Sequence, residues 1–291
     1  MKTVYAIVVN YENFEDTAEC IESLLNQSYP CRILLVDNGS DVGIVEKLKN
    51  AFPQIEVLRL SENLGYAAGC NAGIRKVIDR SDYIFLVNND VVLERDTLEK
   101  MIREMERDGR IAACQPVVKY YGDDVVWSAG TQLFLGYPKL YLKNKRCEVG
   151  TFDPPFGLVG CAMLIRVSAL KDVGLFDKTL FMMHEETDWC IRAKKRGYKL
   201  LVCRSCAYHK VSKTIGLFSK EYLYYIARNW LIVARKAGFG MFFYALITEP
   251  LRILYYFLKF KEKEKIRYYL EGLKDGILGV RGKYENDVRC R

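Results

Sequence analysis

Apolar residues fall in short unbroken runs over the first part of the chain, and most runs end at a polar cluster. Residues 4–9 stop at Asn10-Tyr11, residues 33–36 at Asp37-Asn38-Gly39-Ser40, and residues 83–87 at Asn88-Asn89-Asp90. Residues 55–60 form a further run of the same kind. Such runs, closed by turn formers, predict strands buried on both faces. Between them lie helical patterns. Ile21, Leu24 and Leu25 follow an Asp16/Glu19 capping pair, and a polar helix is predicted over 44–50. A helix over 67–78 follows a glycine loop, and a charged helix over 94–107 precedes a fifth strand at 111–118. Four strand–helix alternations predict βαβ crossovers, hence an α/β fold with a mostly parallel twisted sheet flanked by helices. Ligands of open α/β sheets bind at the carboxyl ends of the strands, so the three polar clusters should share one crevice.

Beyond residue 120 the rhythm changes. Residues 120–165 read as mixed strands and loops, and 185–196 as a helix with acidic residues first and basic residues last, which suits its dipole. After Ser219 the chain turns to long aromatic and basic helices. This divides the chain into a domain over 1–217 and a helical, basic extension over 218–291. Charge follows the same division. Residues 1–191 carry 21 basic and 28 acidic side chains, and residues 192–291 carry 23 and 8. The basic part suits an anionic surface. The acidic front and the lack of a recognition motif speak against nucleic acid as a partner. Ten cysteines without a repeated spacing indicate no disulfide framework and fit a reducing compartment. The first apolar run is short and Glu12, Glu15 and Asp16 follow it, so it reads as a strand rather than a signal peptide. Residues 239–260 approach the length of a membrane span, but Glu249, Pro250 and Arg252 interrupt them, and Lys259, Lys261, Lys263 and Lys265 follow. A pair of interfacial helices lying on a membrane is expected, with packing on the domain or on a partner subunit as the alternative.

Four places carry candidate chemistry. Asp37 at a strand end can accept a hydrogen bond from a base imide or a ribose hydroxyl, or simply form the turn. In Asn63-Leu64-Gly65-Tyr66-Ala67-Ala68-Gly69, small residues ahead of a helix let backbone approach an anion. The glycine spacing is not that of a dinucleotide fingerprint, and no P-loop lysine is present. Asn88-Asn89-Asp90 offers a carboxylate that can hold Mg²⁺ or Mn²⁺ against departing phosphates. Glu185-Glu186-Thr187-Asp188 places three carboxylates in four residues. Their repulsion can raise one pKa into the range of a general base, or the cluster is only a solvated helix start. Cys203-x-x-Cys206-x-x-His209 has zinc-like spacing but lacks a second pair and lies in a predicted buried strand, so zinc is discounted. His209 remains as a single ligand to an ion held by Asp90, and His184 as a neighbour of the acidic cluster.

In this order the pieces resemble the family-2 glycosyltransferases of GT-A fold, especially their rhamnosyltransferase-like branch. The resemblance runs from Val4 to about Asn229. It includes Val8-Val9-Asn10-Tyr11, the clusters at 37–40, 63–67 and 88–90, Gly160-Cys161-Ala162-Met163-Leu164-Ile165-Arg166, Gly174-Leu175-Phe176-Asp177, Glu185 to Arg192, and His209 before Ser212. It implies that Tyr11, Asp37, Asn63, Gly65, Asn71 and Asn89 bind the nucleotide, and that Gly160, Cys161 and Ala162 border the donor sugar. Asp90 and His209 would bind Mg²⁺ or Mn²⁺. Glu186 would be the catalytic base, with Glu185 and Asp188 as alternatives. Two departures stand out: Asn88 replaces the first Asp of the metal motif, and Glu186 replaces the usual Asp. The implied reaction is an inverting single displacement from a nucleotide-sugar donor, dTDP- or UDP-linked, with rhamnose favoured. The implied acceptor is a glycan or lipid-linked glycan, and the expected location is cytoplasmic, peripheral at the inner face of the cell membrane. The rival enzyme, a sugar-nucleotide nucleotidyltransferase, would need a glycine-rich basic N-terminal loop that residues 10–14 do not supply.

Overall fold

The computed structural model describes residues 1–211, 218–260 and 262–284. Ser212, Lys261 and residue 217, where the first domain is expected to end, lie outside the described residues. Strands β1 (Val4–Asn10), β2 (Arg32–Asp37), β3 (Glu56–Arg59) and β4 (Tyr83–Asn88) pair in parallel in the order β3-β2-β1-β4. Helices α1 (Glu15–Leu25), α2 (Val42–Ala51) and α3 (Tyr66–Val77) connect them. Alternate residues of β1 feed opposite cores. Tyr5, Ile7 and Val9 pack with α3, while Val4, Ala6 and Val8 pack with α1 and α2. Burial on both faces explains why these strands read as unbroken apolar runs.

The second half of the sheet is mixed. After β4 come β5 (Val91–Leu93), α4 (Thr97–Glu106), β6 (Ile111–Tyr120), β7 (Val126–Ser128), β8 (Thr131–Phe134) and β9 (Tyr137–Leu140). Next are β10 (Ala162–Arg166), α5 (Val167–Val173), α6 (Glu185–Lys195) and β11 (Lys199–His209). Strand β10 enters antiparallel between β4 and β6, and β11 runs parallel to β6 but antiparallel to β5. The parallel expectation therefore describes the N-terminal half, and the antiparallel insertion completes the sheet. Strands β8 and β9 form a separate hairpin. The start of α1 also differs from its expected cap. Asn13 Oδ1 accepts from the Asp16 amide at 3.1 Å and Asn13 Nδ2 donates to Asp16 Oδ2 at 2.9 Å, so the capping pair sits three residues earlier. Asp16 and Glu19 instead hold Lys210, which leaves the sheet after His209.

Three helices follow: α7 (Lys220–Ala237), α8 (Phe239–Lys259) and α9 (Lys263–Leu278). Every residue of α7 from 223 to 234 is buried, so it is a core helix shared by both parts of the chain. Helix α8 runs unbroken through Pro250. Glu249 and Arg252 face inward and pair with each other, and Tyr269 of α9 donates its hydroxyl to Glu249 at 2.8 Å. Helix α9 crosses α7 at backbone contact. A Cβ at Gly272 would lie 2.3 Å from the Tyr224 carbonyl, and one at Gly276 would lie 2.7 Å from that of Arg228. Gly276→Ala must push the helices apart. It should lower stability by about 1–3 kcal/mol, the usual cost of overpacking, read as a lower Tm in thermal melts.

Candidate active site

The three strand ends do meet. Asn10 lies opposite Asp37, and Val9 lies opposite Asn88. Amide side chains stitch the clusters together. Asn10 Oδ1 accepts from Thr17 Oγ1 (2.9 Å) and from Asn89 Nδ2 (3.3 Å), and Asn10 Nδ2 donates to Ser40 Oγ (3.4 Å). Asn38 Nδ2 donates to Asn63 Oδ1 (3.1 Å) and its Oδ1 accepts from the Leu64 amide (3.1 Å). Thr17 was not legible as a site residue, because it is an ordinary helix residue until its partners are known.

Asp37 is fully buried. Its Oδ1 accepts from the Ser40 amide at 3.3 Å, while Oδ2 has no hydrogen-bond partner and faces only Arg59 Nε at 3.7 Å. Tyr11 stands exposed at the next strand end. Asn63 shapes its own loop, accepting from the Gly65 amide at 2.9 Å. Two expected ligand contacts are replaced by internal ones. Gly65 has φ +87°, and a Cβ there would lie 2.4 Å from the Phe181 carbonyl, so its bareness admits another segment of this chain. Asn71 is buried with both ends of its amide on the backbone of Phe176, donating at 2.8 Å and accepting at 3.1 Å. It braces that loop.

On the other side of Asn10, Asp90 and His209 come together from β-strand neighbours. His209 Nε2 lies 3.1 Å from Asp90 Oδ1, the ring packs edge-on against Trp127, and Nδ1 is buried without a partner. The zinc-like spacing is dispersed by a bulge between Cys203 and Cys206. Cys203 packs in the core, and among the described residues no three His, Cys, Asp or Glu side chains converge.

The acidic cluster starts α6 after an unusual segment. Phe181, Met183 and His184 have φ of +65°, +66° and +69°, a conformation costly for side-chain-bearing residues. Asn229 of α7 holds this segment, donating to the carbonyls of Leu180 (2.8 Å), Met182 (2.5 Å) and Met183 (3.0 Å). Arg228 reaches the Leu180 carbonyl at 3.1 Å. His184 packs against Tyr137 and Trp230, and burial lowers its imidazole pKa to about 4, so it is neutral near pH 7. The sequence signal for this clamp was two adjacent polar residues inside an otherwise apolar and aromatic helix.

The three carboxylates part company here. Asp188 is buried with its oxygens paired to Arg192 (2.8 Å) and to Lys236. Glu185 is buried with Oε2 unpartnered, and burial followed by the charge of Glu186 holds its carboxyl well above the usual range. Burial pushes Glu186 up to about 7. Gly160 leaves bare backbone beside it, since a Cβ there would lie 3.4 Å from the Glu186 Cβ. Cys161 and Ala162, expected to border a sugar, turn into the core instead. Cys161 lies between the two halves of the site: burial raises its thiol pKa, and the charges of Asp90 and Glu186 raise it further. Among the described residues, six buried side-chain polar atoms lack partners, and four belong to Asp37, Asn88, Glu185 and His209. Native interiors satisfy such groups almost always, so their concentration at one sheet edge marks a place built for a polar ligand.

A family model described as Glycosyl transferase family 2 matches residues 5–174. The N-acetylglucosaminyl-diphospho-decaprenol L-rhamnosyltransferase of Mycobacterium tuberculosis is 26% identical over 215 residues, covering 64% of this chain and 68% of that protein. The dTDP-rhamnosyl transferase RfbF of Shigella flexneri is 21% identical over 306 residues, covering 96% and 97%. The crystal structure of GalNAc-T7 with UDP, GalNAc and Mn²⁺ superposes with a TM-score of 0.65 at 15% identity, covering 81% of this chain. The chain spans about half of that structure's length, 48%.

Glu186 yields a prediction about stability and pH. Its folded pKa of about 7 exceeds the ordinary 4.5, so the folded chain holds this proton more tightly than the unfolded chain does. The resulting stability is complete below about 4.5 and is lost as pH rises through about 7. The Tm of Glu186→Gln should therefore fall less than that of the parent chain across this interval, in calorimetric scans at matched ionic strength.

Proposed function

The chain belongs to the family-2 glycosyltransferases, and from that premise we propose that it moves a sugar from a nucleoside diphosphate to an acceptor hydroxyl in one inverting displacement. One observation carries this reading. A half-buried carboxylate with a pKa near 7 lies beside bare backbone, and a carboxylate–imidazole pair stands on the other side of Cys161. A base is most effective when its pKa lies near the working pH. Glu186 accepts the acceptor proton as the acceptor oxygen bonds to the anomeric carbon and the bond to the diphosphate breaks. Attack opposite the leaving group inverts that centre without a covalent intermediate.

Asp90 and His209 suit a divalent ion. They supply one carboxylate and one imidazole, and Mg²⁺ or Mn²⁺ commonly completes its shell with water and substrate phosphates. His209 Nε2 and Asp90 Oδ1, 3.1 Å apart, bring one nitrogen and one oxygen to the same place, as two ligands of one ion require. GalNAc-T7, solved with Mn²⁺, supports a divalent metal in this fold. Such an ion supplies positive charge to the departing diphosphate. Asn88 brings a neutral oxygen where the family motif has a carboxylate, so affinity for the ion should be modest.

Asp37 favours a pyrimidine. Its buried unpaired oxygen can accept the imide N–H of uracil or thymine. With two rhamnosyltransferases among the relatives, dTDP-rhamnose is the donor we favour. A glycan or lipid-linked glycan at the inner face of the membrane is the acceptor class, in keeping with the decaprenol-linked substrate named for the mycobacterial relative.

Glu186→Gln should retain nucleotide binding and lose turnover by roughly 10²–10⁴, the usual worth of a positioned base. Asp90→Ala should abolish transfer with its melting curve intact. Full activity of Asp90→Ala in EDTA would reject the metal assignment. Donor hydrolysis screened over nucleotide sugars identifies the substrate. In calorimetry, dTDP or UDP should bind more tightly than GDP, and GDP binding most tightly would overturn the pyrimidine reading.

A further inference from the structure

Helix α8 is long and apolar enough to cross a membrane, yet it packs on the protein along one side. Ala245, Thr248 and Glu249 are buried, Arg252 pairs with Glu249, and Arg252 also donates to the Leu135 carbonyl of the β8–β9 hairpin at 2.7 Å. The opposite side is bare. Phe239, Phe243, Ile247, Leu251, Leu254 and Leu258 recur every three or four residues and are all exposed. At 1.5 Å per residue this stripe runs along a helix about 30 Å long. The hairpin tip adds exposed Phe134 and Leu135.

Lysines surround this surface. Lys139 Nζ sits 4.2 Å from the centre of the Phe134 ring, and Lys259 Nζ sits 3.7 Å from that of Phe218. Lys143 is close enough to Lys259 to feel its charge. None of Lys139, Lys143 and Lys259 has a carboxylate partner among the described residues.

We propose that the outer stripe of α8 and the tip of the β8–β9 hairpin form a docking face for an anionic lipid bilayer, on which the protein lies without crossing it. Charge complementarity selects this occupant. A second copy docked through the same face would bring unpaired lysines toward one another, whereas an anionic leaflet neutralises them. The inward charge pair decides between lying and crossing. A spanning helix must shed its charged groups or bury them in protein, and withdrawing α8 into lipid would carry the Glu249–Arg252 pair with it while stripping Glu249 of the Tyr269 hydroxyl and Arg252 of the Leu135 carbonyl. An apolar face edged by lysines is the form of an interfacial helix. The hairpin also orients the catalytic end. Leu135 is held by Arg252, and Tyr137, two residues on, places its hydroxyl 3.3 Å from His184 Nε2, next to the acidic pair. An acceptor anchored in the same bilayer would present its head group to Glu186. This last step rests on the transfer reading, but the docking face does not.

The test uses the full chain in flotation with phosphatidylcholine vesicles and with mixed phosphatidylcholine–phosphatidylglycerol vesicles. Point changes are preferred to truncation, because α9 packs on α7 and its loss would expose a core helix. The parent chain should float with the anionic vesicles at low salt and be partly released at high salt. Ile247→Glu/Leu251→Glu and Lys143→Glu/Lys259→Glu should each lower the bound fraction about tenfold or more. Both variants should keep the parent melting temperature and nucleotide-induced thermal shift. The proposal is overturned if the parent chain ignores anionic vesicles, or if both folded variants float as it does. A parent dimer that Ile247→Glu/Leu251→Glu splits, with no vesicle binding, overturns it in favour of a second copy. Vesicle binding by a chain that hydrolyses no nucleotide sugar upholds the docking face while the transfer reading alone fails.

Discussion

Backbone carbonyls turned into a buried space must find donors, and at the start of α6 those donors come from α7. Arg228 and Asn229 meet the carbonyls of Leu180, Met182 and Met183, and so make tenable three left-handed residues within four positions. The rest of the site follows from that grip. It fixes where α6 begins, and therefore where Glu185 and Glu186 lie. It presents the Phe181 carbonyl to Gly65, so the loop before α3 needs a residue without a side chain there. Asn71 ties α3 to Phe176 in the same region. The loop before α3 and the segment ahead of α6 are thereby joined by a close approach at Gly65 and by the buried Asn71 amide.

Environment sorts three similar carboxylates into different tasks. Asp188 meets two cations and serves as a structural ion pair. Glu185 is enclosed next to another acid, and burial followed by that neighbour's charge pushes its carboxyl above the usual range. Glu186 is held at a pKa where it can give and take one near neutral pH. Two adjacent acids, one buried and one half-buried, are a stability cost, since each resists ionisation there. Perturbed groups of this kind commonly mark functional sites.

Features that depend on neighbours in sequence were legible before the structure was known. The buried parallel strands, the polar clusters at their ends and the acidic start of α6 all follow from short-range pattern. What depends on a distant partner was not. Nothing near residue 162 announces that β10 will enter antiparallel between β4 and β6. Asn71 looked like a pocket residue because its partner, the backbone of Phe176, is more than a hundred residues away. Glu249 and Arg252 looked like breaks in an apolar helix, since linear pattern does not show that both face protein. Asp16 and Glu19 looked like a cap, and Lys210 on the far side of the sheet claims them.

The order in which these parts leave the ribosome differs from the order in which they would act. Strands β1 to β4 follow one another in sequence and can pair as soon as they emerge, so the parallel half of the sheet can form early in synthesis. The acidic segment is translated later, but the residues that hold its carbonyls, Arg228 and Asn229, are translated later still. A chain that ends before Arg228 can thus own a folded sheet and the acidic segment, yet lack the donors that hold the carbonyls just ahead of Glu185 and Glu186.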